Sequence, residues 1–231
     1  MYICGRNVAK EYLLNNEIIN NIYLQENFSD QEVLRLIEKK KYNVKIVKKY
    51  ELDKMTKENH QGIILKVNDF KYSDLDSFTK KDDSLVVLLD HIEDPHNFGA
   101  IIRTCEAANV DGIIIPKNRS VDVNSTVIRT SVGATKYVPV AQVTNIKSTI
   151  DKLKKDGYWI VGTDMNGTNY SQIDYKGKTC IISGNEGSGM ARIVRENCDF
   201  IAEIPMKGKI NSLNASVAAG IIIYEAVKQR G

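Results

Sequence analysis

The stretch LVVLLDHIEDPHNFGAIIR, Leu85–Arg103, opens with an unbroken apolar run and passes into a pattern of helical spacing. A strand with one wet face alternates apolar and polar residues. Leu85–Leu89 does not alternate, so both its faces must be covered. Downstream, Gly112–Ile115, Tyr137–Ala141, Trp159–Gly162, Thr179–Ser183 and Phe200–Ile204 have the same short, largely β-branched character. Helical patterns lie between most of them, and helical crossovers favour a parallel sheet. The chain closes on Leu213–Gln229, an alanine-rich helix apolar almost all round, which needs cover on more than one side. The fold class is therefore α/β with a mostly parallel sheet.

Upstream, Asp69–Ser84 is charged and polar and reads as a linker. Before it, a helix is predicted over Val8–Leu14, a strand over Ile18–Leu24 and a helix over Asp30–Lys40. Strands follow at Asn43–Val47 and Gln61–Val67. In the second helix Val33, Leu34, Leu36 and Ile37 share a face, while Val44 and Ile46 alternate as in a half-buried strand. The expected organisation is a small α/β domain over 1–68, a linker over 69–84 and a larger domain over 85–231.

Composition narrows the class. Of 231 residues, 42% are hydrophobic and 26% charged, which excludes a wholly disordered or fibrous chain. Residues 1–68 hold 12 Lys and Arg against 9 Asp and Glu, while the remainder balances at 20 each. The whole positive excess thus falls in the small domain, a mild sign of a polyanionic partner. Cys4, Cys105, Cys180 and Cys198 are scattered without a CxxC pair or nearby histidines, so no metal site is expected and reduced thiols are. The start of the chain lacks a signal-peptide apolar core, and the longest apolar runs are too short to span a bilayer. A cytoplasmic protein without a membrane partner is expected.

The chemistry narrows further. No GxxxxGK[ST] phosphate loop is present, and the first large-domain strand leads to a single glycine, Gly99, unlike a dinucleotide-binding turn. Glycines cluster late, in Ile182-Ser183-Gly184-Asn185-Glu186-Gly187-Ser188-Gly189. There they either let backbone approach a ligand or form a tight turn capped by Ser188. In the opening stretch Asn97 is a natural helix N-cap. Arg103 lies among Ala100, Ile101, Ile102, Ala107 and Ala108. A guanidinium there holds a carboxylate or phosphate, or pairs with Glu106 or Glu93. In Ile204-Pro205-Met206-Lys207-Gly208-Lys209-Ile210-Asn211-Ser212-Leu213-Asn214-Ala215-Ser216 a strand ends, a basic loop follows and a small-residue helix begins. Ser212 can cap that helix, and Asn214 can bond local backbone.

DPHNFGAIIRTCEA, ISGNEGSGM and IPMKGKINSLNASVAAGIIIYEA, in this order and spacing, resemble the three motifs of the SpoU (TrmH-like) RNA ribose 2′-O-methyltransferases. Residues 1–68, from Gly5-Arg6-Asn7-Val8 to His60-Gln61-Gly62-Ile63, resemble the amino-terminal substrate-binding domain of members that modify the large ribosomal RNA. The resemblance implies methyl transfer from S-adenosyl-methionine to a ribose 2′-hydroxyl of a guanosine in 23S rRNA, by a homodimer whose larger domain holds a deep trefoil knot of the SPOUT type. Knots are nearly absent from folded chains, so residue patterns alone do not lead to one. Carried to matching positions, the cofactor pocket comprises Thr163, Gly184, Glu186, Gly187, Ile204, Met206, Ser212 and Leu213. The catalytic candidates are Asn97, Arg103, Glu186, Ser212 and Asn214. The alternatives are a tRNA target with the same chemistry, or a non-catalytic RNA-binding ribosome assembly factor. The residue expected to deprotonate the ribose is Arg103, yet bringing a guanidinium to neutral pH costs about 7 kcal/mol. It therefore either serves as an unusually perturbed base or anchors phosphate while another group takes the proton.

Overall fold

A computed structural model describes residues 1–15, 18–209 and 211–231. In chain order the elements are β1 (Tyr2–Cys4), α1 (Arg6–Leu14), β2 (Ile19–Gln25), α2 (Gln31–Lys40), β3 (Val44–Val47), α3 (Lys49–Met55), β4 (Ile63–Val67), α4 (Asp76–Thr79), β5 (Leu85–Leu89), α5 (Pro95–Ala107), β6 (Gly112–Pro116) and α6 (Ser125–Thr130). Then come β7 (Val140–Val143), α7 (Ile146–Lys155), β8 (Trp159–Asn169), β9 (Thr179–Ser183), α8 (Arg192–Arg195), β10 (Phe200–Glu203) and α9 (Ala215–Arg230). Ile210, inside the third motif, lies outside the described residues.

The chain divides into two compact units. The first comprises Met1–Lys71 with Val123–Ala134. Its sheet runs β1-β4-β2-β3, with β4 antiparallel to both neighbours and β2 parallel to β3. The local chemistry of α2 explains its limits. The Asp30 side chain accepts from the Val33 amide at 3.2 Å, Lys39 and Lys40 end the last turn, and Lys41 turns left-handed. Val33 and Ile37 are the buried members of its face. Ile46 is 61% exposed, because β3 is an edge strand with less cover than its alternation led one to expect. Two elements, β1 and α3, have no sequence counterpart. Each is too short to show a period, and β1 is held by pairing Ile3 with Leu65 on β4.

Segment 123–134 follows the second-unit strand β6 in sequence yet belongs to the first unit, where Glu58 anchors it. The Glu58 carboxylate accepts from the Ser125 hydroxyl at 3.3 Å and from Thr126, and lies 3.1 Å from Arg129 Nε. Cys4 also donates to it at 3.4 Å. Burial, reinforced by that carboxylate, pushes the Cys4 thiol up to about 12.

The second unit, Tyr72–Asp122 with Thr135–Gly231, holds a wholly parallel sheet in the order β10-β8-β9-β5-β6-β7. Every residue of β5, β6 and β9 is buried, which is why these strands read as continuous apolar runs. Pro139 delays β7 to Val140, since proline has no amide to join the ladder. Strand β8 runs on to Asn169. Its register with β10 jumps from Ile201↔Gly162 to Ala202↔Thr168, leaving 163–167 without register partners on β10.

The stretch 69–84 contains α4 and is no free tether along its length. Phe78 is 3% exposed, and Tyr158 donates to the Thr79 carbonyl at 3.0 Å. Apolar residues are too scattered in this polar stretch to show a period, so the sequence conceals this packing. A Cβ on Gly112 would lie 2.3 Å from the Phe78 ring. Gly112→Ala is expected to lower stability by about 1–3 kcal/mol through overpacking; thermal melting checks this, and an unchanged midpoint refutes it. Among the described residues no helix is long and apolar enough to cross a membrane.

Candidate active site

Parallel pairing sets the carboxyl ends of four strands along one edge of the second sheet. Leu89 pairs with Ser183 and Ser183 with Thr163, so Asp90, Gly184 and Asp164 are the next residues out, with β10 beyond β8. Strand order reverses between β5 and β9, and the crevice outside such a reversal is where open α/β sheets bind ligands.

The glycine-rich segment after β9 is a closed turn. Asn185 and Gly189 exchange two backbone hydrogen bonds of 3.0 Å, and Asn185 Oδ1 accepts from the Gly187 and Ser188 amides at 2.9 and 3.3 Å. Ser188 therefore belongs to this turn and caps no helix; the next helix, α8, begins at Arg192 with Ala191 before it. Two residues that the motifs did not single out fasten the turn. Asp90, 1% exposed, accepts from the Ala191 amide at 2.7 Å and lies 2.5 Å from His91 Nδ1. His91, left-handed at φ 61°, offers its carbonyl to Asn185 Nδ2 at 2.7 Å. A carboxylate ending an apolar run, as in Leu88-Leu89-Asp90, is the signal that could have flagged it. At Gly184 a Cβ would meet the Met190 amide nitrogen at 2.4 Å, so the close return of the chain needs glycine.

A relay of amides joins all three motifs. Asn97, 6% exposed, donates to Glu186 Oε1 at 3.0 Å and accepts from Asn214 Nδ2 at 2.9 Å. Asn97 does not fill the capping role its sequence position suggests, whereas Asn214 does bond local backbone, as its place in the sequence suggests. Helix α5 starts at Pro95 with Asp94 as its cap, accepting from the His96 amide at 2.9 Å, which frees Asn97 to face Glu186. Asn214, not Ser212, caps α9, accepting from the Ser216 and Val217 amides at 2.9 and 3.4 Å.

The remaining candidates lie outside this relay. Arg103 is exposed on α5, six residues beyond Asn97 and so about 9 Å along the axis. Among the described residues it pairs with neither Glu93 nor Glu106. Thr163 donates to the Ile182 carbonyl at 3.0 Å. A Cβ on Gly187 would meet nothing closer than Asn185 Oδ1 at 3.6 Å. Ile204, Met206, Ser212 and Leu213 lie on the segment from β10 to α9, anchored by strand pairing at one end and the Asn214–Asn97 bond at the other. Met206 and Leu213 are 36% and 40% exposed, apolar surface left open beside polar backbone. No cluster of three or more metal-binding side chains occurs among the described residues.

Residues 84–224 match the profile of the SpoU rRNA Methylase family, and residues 2–73 match that of RNA 2′-O ribose methyltransferase substrate binding. A Staphylococcus saprophyticus protein named as a TrmH family tRNA/rRNA methyltransferase is 44% identical, over 99% of this chain and 95% of that one. The AdoMet-bound rRNA methyltransferase from Sinorhizobium meliloti superposes with a TM-score of 0.81 at 27% identity, covering 98% of this chain and 86% of its own. The A. aeolicus TrmH/SpoU tRNA modifying enzyme is 32% identical with a TM-score of 0.59, and covers 67% of this chain and 81% of its own.

Proposed function

The chain belongs to the SpoU rRNA methylase family and is an S-adenosyl-methionine-dependent RNA 2′-O-methyltransferase; from that premise we propose that its substrate is ribosomal RNA, at a guanosine ribose of 23S rRNA. The observation that carries the rRNA reading is the first unit, whose residues 2–73 match a substrate-binding profile. The similar rRNA enzyme extends over this unit, covering 98% of the chain, whereas the tRNA-modifying one covers 67%.

The residues at the sheet edge fit the cofactor. Gly184 and Gly187 offer backbone without side chains, and Met206 and Leu213 offer open apolar surface for a flat base. Thr163, Gly184, Glu186, Gly187, Ile204, Met206, Ser212 and Leu213 would hold it, and the bound group supplies an electrophilic sulfonium methyl. The chain's own contribution is positioning, which can remove roughly 7–11 kcal/mol from a barrier. The Asn97 relay fixes Glu186 and Asn214 relative to each other. Arg103, exposed and unpaired among the described residues, holds the substrate phosphate and polarises the hydroxyl, leaving the proton to another group.

The working form in this reading is a homodimer with the knotted fold of the family. Helix α9 buries Ala219, Ile222, Ile223 and Ala226 within its own subunit, while Val217 and Tyr224 are each 50% exposed. That outer apolar surface is available to a second copy.

Mapping ribose methylation on total RNA from a deletion strain tests the target. Loss of a single 2′-O-methyl mark at a 23S guanosine is expected, restored by the wild-type gene. Loss from tRNA alone replaces the rRNA assignment with the tRNA one, and an unchanged methylation map leaves a non-catalytic assembly role.

A further inference from the structure

The first unit carries a polar cleft of about 370 Å3, formed by the start of α1, the end of β2 with the turn after it, and the turn into β4. None of the three motifs contributes to it.

Its floor is a strained turn held open by backbone. Gln61 and Gly62 are both left-handed, at φ 52° and 83°, and a Cβ on Gly62 would lie 3.0 Å from the Phe28 ring. Glycine is thus what lets that ring lie against the turn. His60, 5% exposed, locks the conformation. Its Nδ1 accepts from the Gly62 amide at 3.0 Å, so the proton sits on Nε2, which donates to Asp53 Oδ1 at 2.9 Å. Both ring nitrogens are committed to shaping the cleft, and Asp53, the carboxylate in its lining, is engaged by His60.

The lining side chains have the chemistry of a nucleotide site. The Arg6 guanidinium lies 5.3 Å from the Phe28 ring centroid. Arg6 is oriented by two contacts to Gln61: its amide donates to Oε1 at 2.8 Å and its Nε to the carbonyl at 3.3 Å. Its terminal nitrogens and the exposed Lys49 ammonium bring positive charge, which suits phosphate. Gln25 and Asn59 present side-chain amides, each a donor beside an acceptor, the pattern that reads a base edge. Phe28 with Arg6 gives a flat surface for stacking, and stacking requires a base that is not held in a duplex.

We propose that this cleft binds one unpaired nucleotide of the substrate RNA, with the base stacked at Phe28, its edge on Gln25 and Asn59, and its phosphate on Arg6 and Lys49. The inference rests on the chain being an RNA methyltransferase and adds where on the first unit the RNA is gripped.

The test uses the full chain, in-vitro-transcribed 23S rRNA and a perfect RNA duplex as probes. Phe28→Leu, Gln25→Ala and Lys49→Gln are compared with Lys39→Gln, which removes an exposed charge from α2 outside the cleft. Each cleft variant is expected to weaken rRNA binding about tenfold, the scale of one stacking or edge contact. Duplex binding, S-adenosyl-methionine binding by calorimetry, melting temperature and kcat at saturating RNA should stay at wild-type values, and Lys39→Gln should change little. Unchanged rRNA affinity in all three cleft variants overturns the proposal, as does an equal loss in Lys39→Gln or an equal loss of duplex binding. Failure of the wild-type chain to methylate any RNA strikes at the functional reading instead, and the binding comparison remains decisive for the cleft. Should Phe28→Leu melt early, Gln25→Ala, at the strand end, carries the same comparison.

Discussion

Arg103→Ala is expected to lower methyl transfer at least about a hundredfold, the scale of one positioned catalytic group, while S-adenosyl-methionine affinity stays within about twofold of wild type. The motivation is geometric. Arg103 projects from α5 exposed, outside the Asn97–Glu186–Asn214 relay, and pairs with neither nearby glutamate. Removing it breaks no hydrogen bond or ion pair among the described residues, so the loss should fall on RNA and the reacting hydroxyl. Arg103→Lys keeps the charge but not the planar fork that grips phosphate through two donors, so partial recovery is expected. The homodimer reading adds a sharper check. A chain carrying Arg103→Ala, mixed with one carrying Asn214→Ala, should regain activity if the two residues act from different subunits. Wild-type turnover in purified Arg103→Ala refutes its role, and no recovery despite demonstrated subunit exchange refutes the shared site.

The second large effect is expected from Asn97→Ala. This buried amide joins the first motif to the second at 3.0 Å and to the third at 2.9 Å. Truncation leaves Glu186 and Asn214 without their shared partner, and such a loss costs about 1–3 kcal/mol for a buried group. Unlike Arg103→Ala, the change should weaken cofactor binding as well as transfer, because the Gly184–Gly189 turn and the segment before α9 lose their mutual anchor. Residues acting as one unit are non-additive. Asn97→Ala combined with Asn214→Ala should therefore cost less than the sum of the two single changes, Asn214→Ala retaining its separate cost as the lost cap of α9. Full additivity in that cycle, with cofactor affinity untouched, would show that the relay has no part in building the site. Asn97→Asp should fail too, since it accepts from Asn214 but sets a second carboxylate against Glu186.

Three strands of the second sheet, β5, β6 and β9, were legible because every residue in them is buried, and full burial on both faces demands unbroken, largely apolar runs. Strands β7, β8 and β10 are only partly covered and were legible by their β-branched character and the helical patterns between them. The helix α2 was legible for a similar reason, its Val33 and Ile37 recurring at helical spacing between an acidic cap and a basic end. The three motifs located Asn97, Glu186 and Asn214 without saying that they touch. Contacts spanning 89 and 117 residues arise only once parallel register has set β5 beside β9 and returned α9 to α5. Local rules even pointed elsewhere, giving Asn97 and Ser212 capping roles that Asp94 and Asn214 fill. The caps follow from where each helix axis can begin, and tertiary packing fixes that. The same holds for Phe78 inside a polar stretch, for segment 123–134 on the first unit, and for the cleft at Phe28 and Gln61. The sequence by itself determined most of the strands and the longer helices, their order and the family chemistry, because periodicity and motif are properties of neighbours along the chain; β1, α3 and α4 were too short to show a period. Only the tertiary structure decided which distant polar groups meet, because hydrogen bonds of about 3 Å depend on register and on glycine-permitted close returns, which no local pattern encodes.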